Sequence, residues 1–444
     1  MPFKQQARLA ISSQGMLCFT RPSLDPFTPT GPCPINELAI ELLTLILHYT
    51  STVNHAPLLV CARWRLAYEP ILHRKVTIGD EEGWEATRYQ RRLTQVFTPD
   101  CAVGRYVRLL YLTLNHPKAV LSRLFINIIN ECPGITSLSL HSMSLNIQPI
   151  FEAVGRLSRL ENLDVGARRI EPGGFPLQMI VPNVRRCPLK TLRLSRHGLG
   201  EEHTPGVEWA PQSYTAPQSM LKEMSRLSQD LSTPIETMCI YEPYTPPAVT
   251  ELLLNWPNAL INIRFGYLCH ARYRYNCDDL QRILDRQHAS LQEIEIGNYG
   301  DLKIPNFSQY CNLRRLSLAM YNLLEEEPVI AAIKLNAPNL AYIRGSFDTE
   351  DQHQASCSAF GTAEIDWMQR FVSHKHPGGK LKSLRSMEFD LNPATPYSPH
   401  VLPWPWKHIE NARHSVFHEA GIELICIPSL TEKEWAQKIA ENIE

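Results

Sequence analysis

The sequence is short of nearly everything that announces a chemistry. It has no Walker-type Gly-rich loop, no G-x-G-x-x-G, no G-x-S-x-G and no H-E-x-x-H. The commonest nucleotide-binding, esterase and zinc-peptidase signatures are therefore missing. No C-x-x-C occurs among its twelve cysteines, most of which sit in apolar runs such as Val60-Cys61 or Met238-Cys239-Ile240. They read as reduced, buried thiols of a cytoplasmic or nuclear protein. No apolar run approaches twenty residues, so no transmembrane helix and no membrane partner are expected. Net charge is −1, with no block of bases to break the balance, so nucleic acid is not an expected partner either.

The near misses are few. "LCHARYRYNC" brings Cys269, His270 and Cys277 close in sequence, one ligand short of a closed zinc site. "HEAGIE" at His418 lacks a second histidine, and "HKHPGG" at His374 reads as a solvated turn. "RYRY" (Arg272 to Tyr275) reads as surface cation–π packing, and Glu325 to Glu327 before Pro328 as a solvated helix start. No catalytic residue, no metal and no cofactor are expected, and the chain does not read as an enzyme.

What the chain does hold is organisation. Its 444 residues, 44% hydrophobic and 20% charged, fit two or three globular domains or one long repeat array. Residues 1–33, rich in Pro, Ser and Thr, read as a disordered arm. Lys4, Arg8 and Arg21 nevertheless precede the first acid, Asp25, which is the charge pattern of an organellar presequence. The next stretch, Leu38 to Ile78, has Glu41 as the only acid of its first thirty residues and no Lys or Arg before Arg63. Ile40 to Tyr49 reads as a helix with Leu38, Leu42, Ile46 and Tyr49 on one face and Leu43 and Leu47 on another. A loop over Ser51 to His55 follows. Pro57 then suits the first turn of a second helix running through Val60, Cys61 and Trp64. Pro70 ends that helix or opens a third, and Lys75 to Ile78 are extended. Helices this short cannot bury so much apolar surface among themselves. The remainder is covered either by the rest of the chain or by a partner.

Three blocks in order, "LAIELLTLILHY", "LLVCARWR" and "EPILHRKV", resemble the F-box, the trihelical motif that docks on a Skp-type adaptor. Carried over residue by residue, Leu38, Ala39, Glu41, Leu42, Leu43, Ile46, Val60, Cys61 and Trp64 fall on positions that build the motif or face the adaptor. Ala39 stands where the family usually has Pro, and His73 where it has an aromatic.

From Tyr106 onward a second signal repeats: "VRLLYLTL", "ITSLSL", "LENLDV", "LKTLRL", "IETMCI", "LINIRF", "LQEIEI", "LRRLSL", "LAYIRG", "LRSMEF" and "IELICI". Each is apolar-x-x-apolar-x-apolar, and many recur at roughly 22 to 31 residues, the period of leucine-rich repeats. Amphipathic stretches such as "AVLSRLFINIINEC" and "PVIAAIKLNAP" lie between them. Alternation predicts an α/β solenoid, apolar residues inward, with Ser139, Asp164, Arg193, Arg264, Glu295, Ser317 and Arg344 among those on the open sheet face. The array resembles a degenerate leucine-rich repeat domain. A non-repetitive α/β fold is the alternative. Long inserts near 195–234, 346–380 and 390–421 read as loops, with Trp404 and Trp406 either capping the core or exposed for recognition.

The expected layout is an arm over 1–33, an F-box over 34–78, a connector over 79–105, the repeat domain over 106–430, and a C-terminal helix or tail over 431–444. The resemblance implies a substrate receptor of a cullin–RING ubiquitin ligase, of the kind abundant in fungi. The helices would bind the Skp-type adaptor, and through it cullin and RING protein, while the open sheet face holds a protein substrate. The alternative is an adaptor-bound or orphan repeat scaffold with no ligase role.

Overall fold

The computed structural model describes residues 38–50, 60–79, 102–114, 119–142, 148–167, 175–198, 233–266, 275–347, 362–391, 413–427 and 431–443. Residues 244, 300, 302, 377 and 378 are excepted, and a few isolated residues between these spans are added. The disordered-arm expectation, Trp404, Trp406, Cys269, His270 and most of the three inserts lie outside them. By contacts the chain divides into two units, Met1–Leu163 and Asp164–Glu444.

The first unit opens with helices α1 (Ile40–Thr50) and α2 (Ala62–Leu72), followed by strand β1 (Lys75–Gly79). A 3-10 turn, Ala102–Tyr106, leads to β2 (Leu109–Leu114), α3 (Ala119–Glu131), β3 (Ser137–Ser142) and α4 (Gln148–Val154). β1 to β3 pair in parallel, Lys75 opposite Leu109 and Leu109 opposite Ser137. Leu110, Leu112, Leu138 and Leu140 of the strands are buried, as are Leu124, Phe125, Ile128 and Ile129 of α3. β4 (Asn162–Ala167) spans the boundary between units.

The second unit continues with α5 (Leu177–Val184), β5 (Thr191–Ser195), β6 (Thr237–Tyr241), α6 (Pro247–Leu253), β7 (Asn262–Gly266) and α7 (Cys277–Asp285). Then come β8 (Glu293–Ile296), β9 (Arg315–Ala319), α8 (Met320–Glu325), α9 (Pro328–Lys334) and β10 (Tyr342–Phe347). The chain closes with α10 (Thr362–Val372), β11 (Ser386–Leu391), β12 (Glu423–Ile427) and α11 (Glu432–Ile443). β5 to β12 form one parallel series in chain order. Within each unit every strand lies beside the next in sequence. That is the solenoid-like α/β arrangement the repeated strings predict, and every one of those eleven strings lies on a strand.

The reason is local. In "LQEIEI", Leu291, Ile294 and Ile296 are buried while Glu293 and Glu295 stay half-exposed. Only an extended segment separates those sets so cleanly. Helix starts are equally local. Asn276 and Asp279 close a reciprocal cap on α7, the Asp279 amide donating to Asn276 Oδ1 at 2.8 Å. Asparagines that introduce strings serve the join: Asn312 and Asn339 each donate to a carbonyl one repeat back, of Ala289 and Cys311, at 2.6 Å.

A main-chain device recurs at most of the strands. The carbonyl just before one strand accepts two successive amides of the next repeat. Ile261 O takes Gln292 N and Glu293 N at 2.8 and 3.1 Å, Gln292 O takes Arg314 N and Arg315 N, and Arg314 O takes Ala341 N and Tyr342 N. Arg74, Arg108 and Thr136 do the same in the first unit.

Three expectations need correction. The second helix does not run from Pro57 through Trp64: Cys61 is extended (φ −163°, ψ 171°) and heads a separate helix, α2. Pro70 does not end that helix, which carries on to Leu72. A proline in the last turn forfeits a single helical bond there, and His73 N still reaches Glu69 O at 3.1 Å. Glu326 is not solvated but buried, accepting from Lys334 Nζ at 2.6 Å and Ile304 N at 3.1 Å. Its own carbonyl accepts from Trp367 Nε1. A buried carboxylate persists only when so paired.

On the helical side, Glu251 of α6 accepts from Arg282 Nε at 2.7 Å and Arg286 Nε at 2.9 Å. Burial works against its charge, but the two guanidinium groups outweigh it and hold the carboxyl below its ordinary 4.5. A lowered folded value means the pairing stabilises above pH 4.5 and is lost as pH falls through the folded value. Glu251→Gln is therefore expected to cost about 1 kcal/mol near neutrality. In urea unfolding the gap to the unaltered chain should stay flat above about pH 5 and close at lower pH. A gap that does not narrow at all as the pH is taken below 4.5 would refute the ion-pair account.

Candidate interaction surfaces

The helical pair of the first unit packs through one face and leaves another bare. Leu43 and Leu47, four residues apart on α1, meet Ala67 and Tyr68 of α2, and all four are buried. Trp64, Ile71 and Leu72 pack around this cluster. Thr44 Oγ1 returns to Ile40 O at 2.8 Å, and the Arg63 guanidinium donates to Leu38 O at the helix start. The opposite side of α1 carries Ile40, Leu42, Leu45 and Ile46 in the open, Leu42 at 51% and Ile46 at 40%. Val60 and Leu66 are exposed as well. Of ten large apolar side chains exposed among the described residues, these six lie within 27 positions of one another. Scattered exposed leucines need no explanation, but a cluster at this density does.

The residues picked from sequence separate accordingly. Ala39, Glu41, Leu42, Ile46 and Val60 are exposed, while Leu38, Cys61 and Trp64 are half-buried. Leu43 is wholly enclosed and serves the core of the helical pair.

The second surface is the open face of the sheet. Parallel register aligns Arg193, Cys239, Arg264, Glu295, Ser317, Arg344 and Glu388 in one row across β5 to β11. Five of the seven positions expected on that face fall in this single row. Asp164 lies close enough to Arg193 to favour its charge. Ser139 belongs to the first unit and is buried. A neighbouring row holds Asn262, Glu293, Arg315 and Tyr342. Between the rows, over β7 to β10, lies a groove of about 160 Å³.

Two carboxylates missed by sequence reasoning organise its end. Glu388, almost fully buried, lies 3.2 Å from Arg344 Nε and accepts the Tyr342 hydroxyl; Asp390 accepts from the other end of the same guanidinium. Burial opposes the charge of Arg344, but Asp390 and Glu388 more than offset it and keep its pKa high. Burial and the bond to Glu388 likewise push Tyr342 upward. Neither shift makes a base or nucleophile at neutral pH. The alternation of "LRSMEF" already placed Glu388 outward, so the signal was present.

Elsewhere burial pushes the thiols of Cys187 and Cys277 up to about 11. These are packing groups, since reactivity needs thiolate. Among the described residues no group of three His, Cys, Asp or Glu side chains could hold a metal ion. Nor, among them, is any helix long and apolar enough to cross a membrane.

No family model matches the chain, and no curated protein is similar to it. Among solved structures it is similar to the crystal structure of the Rad7 and Elc1 complex in yeast, at 14% identity. The match covers 80% of this chain and 89% of that one, with a TM-score of 0.33. A superposition that loose says nothing of function.

Proposed function

We propose that the chain is a substrate receptor that docks on a Skp-type adaptor through α1, α2 and the segment between them, presenting the open sheet face to a target protein. One observation carries this reading. The helical pair is internally satisfied through Leu43, Leu47, Ala67 and Tyr68, yet it leaves Ile40, Leu42, Leu45, Ile46, Val60 and Leu66 facing solvent. Each such half-exposed side chain, once covered, contributes about 0.7–1.5 kcal/mol, half the worth of full burial, so a partner gains what the unit itself leaves unused. The F-box resemblance names the kind of partner. Free thiols at all seven described cysteines support a reducing compartment, cytoplasm or nucleus. Delivery to a cullin–RING ligase would work by tethering, which raises the effective concentration of target lysines near the conjugating enzyme.

The test is co-purification from the native cell with the proteasome blocked. Adaptor and cullin together are expected. Adaptor alone would leave a scaffold without ligase role, and recovery of neither would remove the reading altogether.

A further inference from the structure

The groove on the sheet face has a polarity that the row of mixed charges conceals in sequence. Arg344 donates to Asp390 and is ion-paired with Glu388 at 3.2 Å. Arg264 and Arg315 are not engaged in that way. They stand 3.4 Å from Glu295 and 3.6 Å from Glu293, beyond the roughly 2.7–2.9 Å of a charge-assisted hydrogen bond. Among the described residues their guanidinium N–H groups make no hydrogen bond to the protein. Loose surface pairs of this kind add little stability, so folding does not account for four charges around one depression. In the Arg315–Glu293 pair the arginine is the more exposed partner, 58% against 43%, while Arg264 and Glu295 are equally exposed. At Arg315 a ligand meets positive charge first.

Arg315 is also held in place. Its guanidinium lies 4.8 Å over the Tyr342 ring, and that ring is anchored by its hydroxyl on nearly buried Glu388. A stacked arginine with an anchored support and unused donors is pre-organised for a planar acceptor.

We infer that this groove recognises an acidic side chain, Asp or Glu, on an extended segment of the target, with Arg315 as the principal contact and Arg264 as the second. The size fits: about 160 Å³ accommodates a side chain, not a folded surface. The charge fits a carboxylate rather than a phosphate, because Glu293 and Glu295 beside the two arginines repel a second negative charge. The inference rests on the receptor reading only in taking the ligand to be a polypeptide.

The full chain, panned against phage-displayed random peptides, is expected to enrich Asp- and Glu-bearing sequences. The double exchange Glu293→Arg with Arg315→Glu preserves the ion pair but reverses its polarity. It should shift the recovered ratio of acidic to basic peptides by about tenfold toward basic ones, the worth of one charge-assisted contact. Should thermal melting show that variant unfolded, Arg315→Gln must lose the acidic preference instead. An unchanged preference in the folded variant, or no enrichment by the unaltered chain, overturns the inference. Converting the acid of the best peptide to its amide should weaken binding, and tighter binding by a phosphoserine version would overturn the choice of carboxylate. Adaptor capture is read separately, so its failure would strike the docking proposal and leave the peptide preference standing.

Discussion

Replacing Leu42 and Ile46 together with aspartate is expected to abolish adaptor capture and leave the second unit folded. The two side chains lie one helical turn apart on the open face of α1, and neither helps close the cluster around Leu43 and Tyr68. The free chain therefore loses little beyond some helix propensity. At an interface the same change removes two half-exposed anchors of about 0.7–1.5 kcal/mol each and asks it to bury two carboxylates. A loss of tenfold or more in affinity follows from the anchors alone, roughly 1.4–3 kcal/mol, and the two buried carboxylates add to it. Leu43→Asp is the matched control, since a charge at an enclosed position should unfold the helical pair itself. Pull-down of recombinant adaptor, with circular dichroism of each variant, checks both halves. Retained binding by the double aspartate variant would end the docking proposal.

The second large effect concerns Phe389. Its ring is wholly buried on β11, opposite Gly345 of β10 and Cys426 of β12. The space it uses is space Gly345 leaves open: a Cβ there would come within 2.4 Å of Met320 Sδ and 3.2 Å of the Phe389 ring. Phe389→Ala is expected to cost about 3–5 kcal/mol. Because stacked repeats feel chiefly their neighbours, the damage should be local. Amide exchange should accelerate over β10 to β12 and change little over β5 to β7. Uniform acceleration across the unit would show a single cooperative block instead.

Much of this was legible beforehand, for a physical reason. Period-2 alternation within six-residue strings states which side chains face in, and it placed eleven strands. Because Arg193, Arg264, Glu295, Ser317 and Arg344 occupy the same place in their strings, they share a row once register is set. The helical pair was legible through Leu43 and Leu47 against Leu42 and Ile46. What escaped depends on pairings across long sequence distances. Glu326 looks solvated beside two other glutamates until Lys334, eight residues on, and Ile304, 22 residues back, close over it. The break at Cys61 is a single extended residue between helical neighbours, and no residue type there demands it.

The doubled acceptor ahead of most strands has a consequence for how such a chain can change. The clip between repeats is built from peptide groups, which every residue but proline supplies in full. Fidelity of stacking is thus nearly indifferent to the letters written at the outward positions. Specificity toward a client can drift, repeat by repeat, over a frame that stays put.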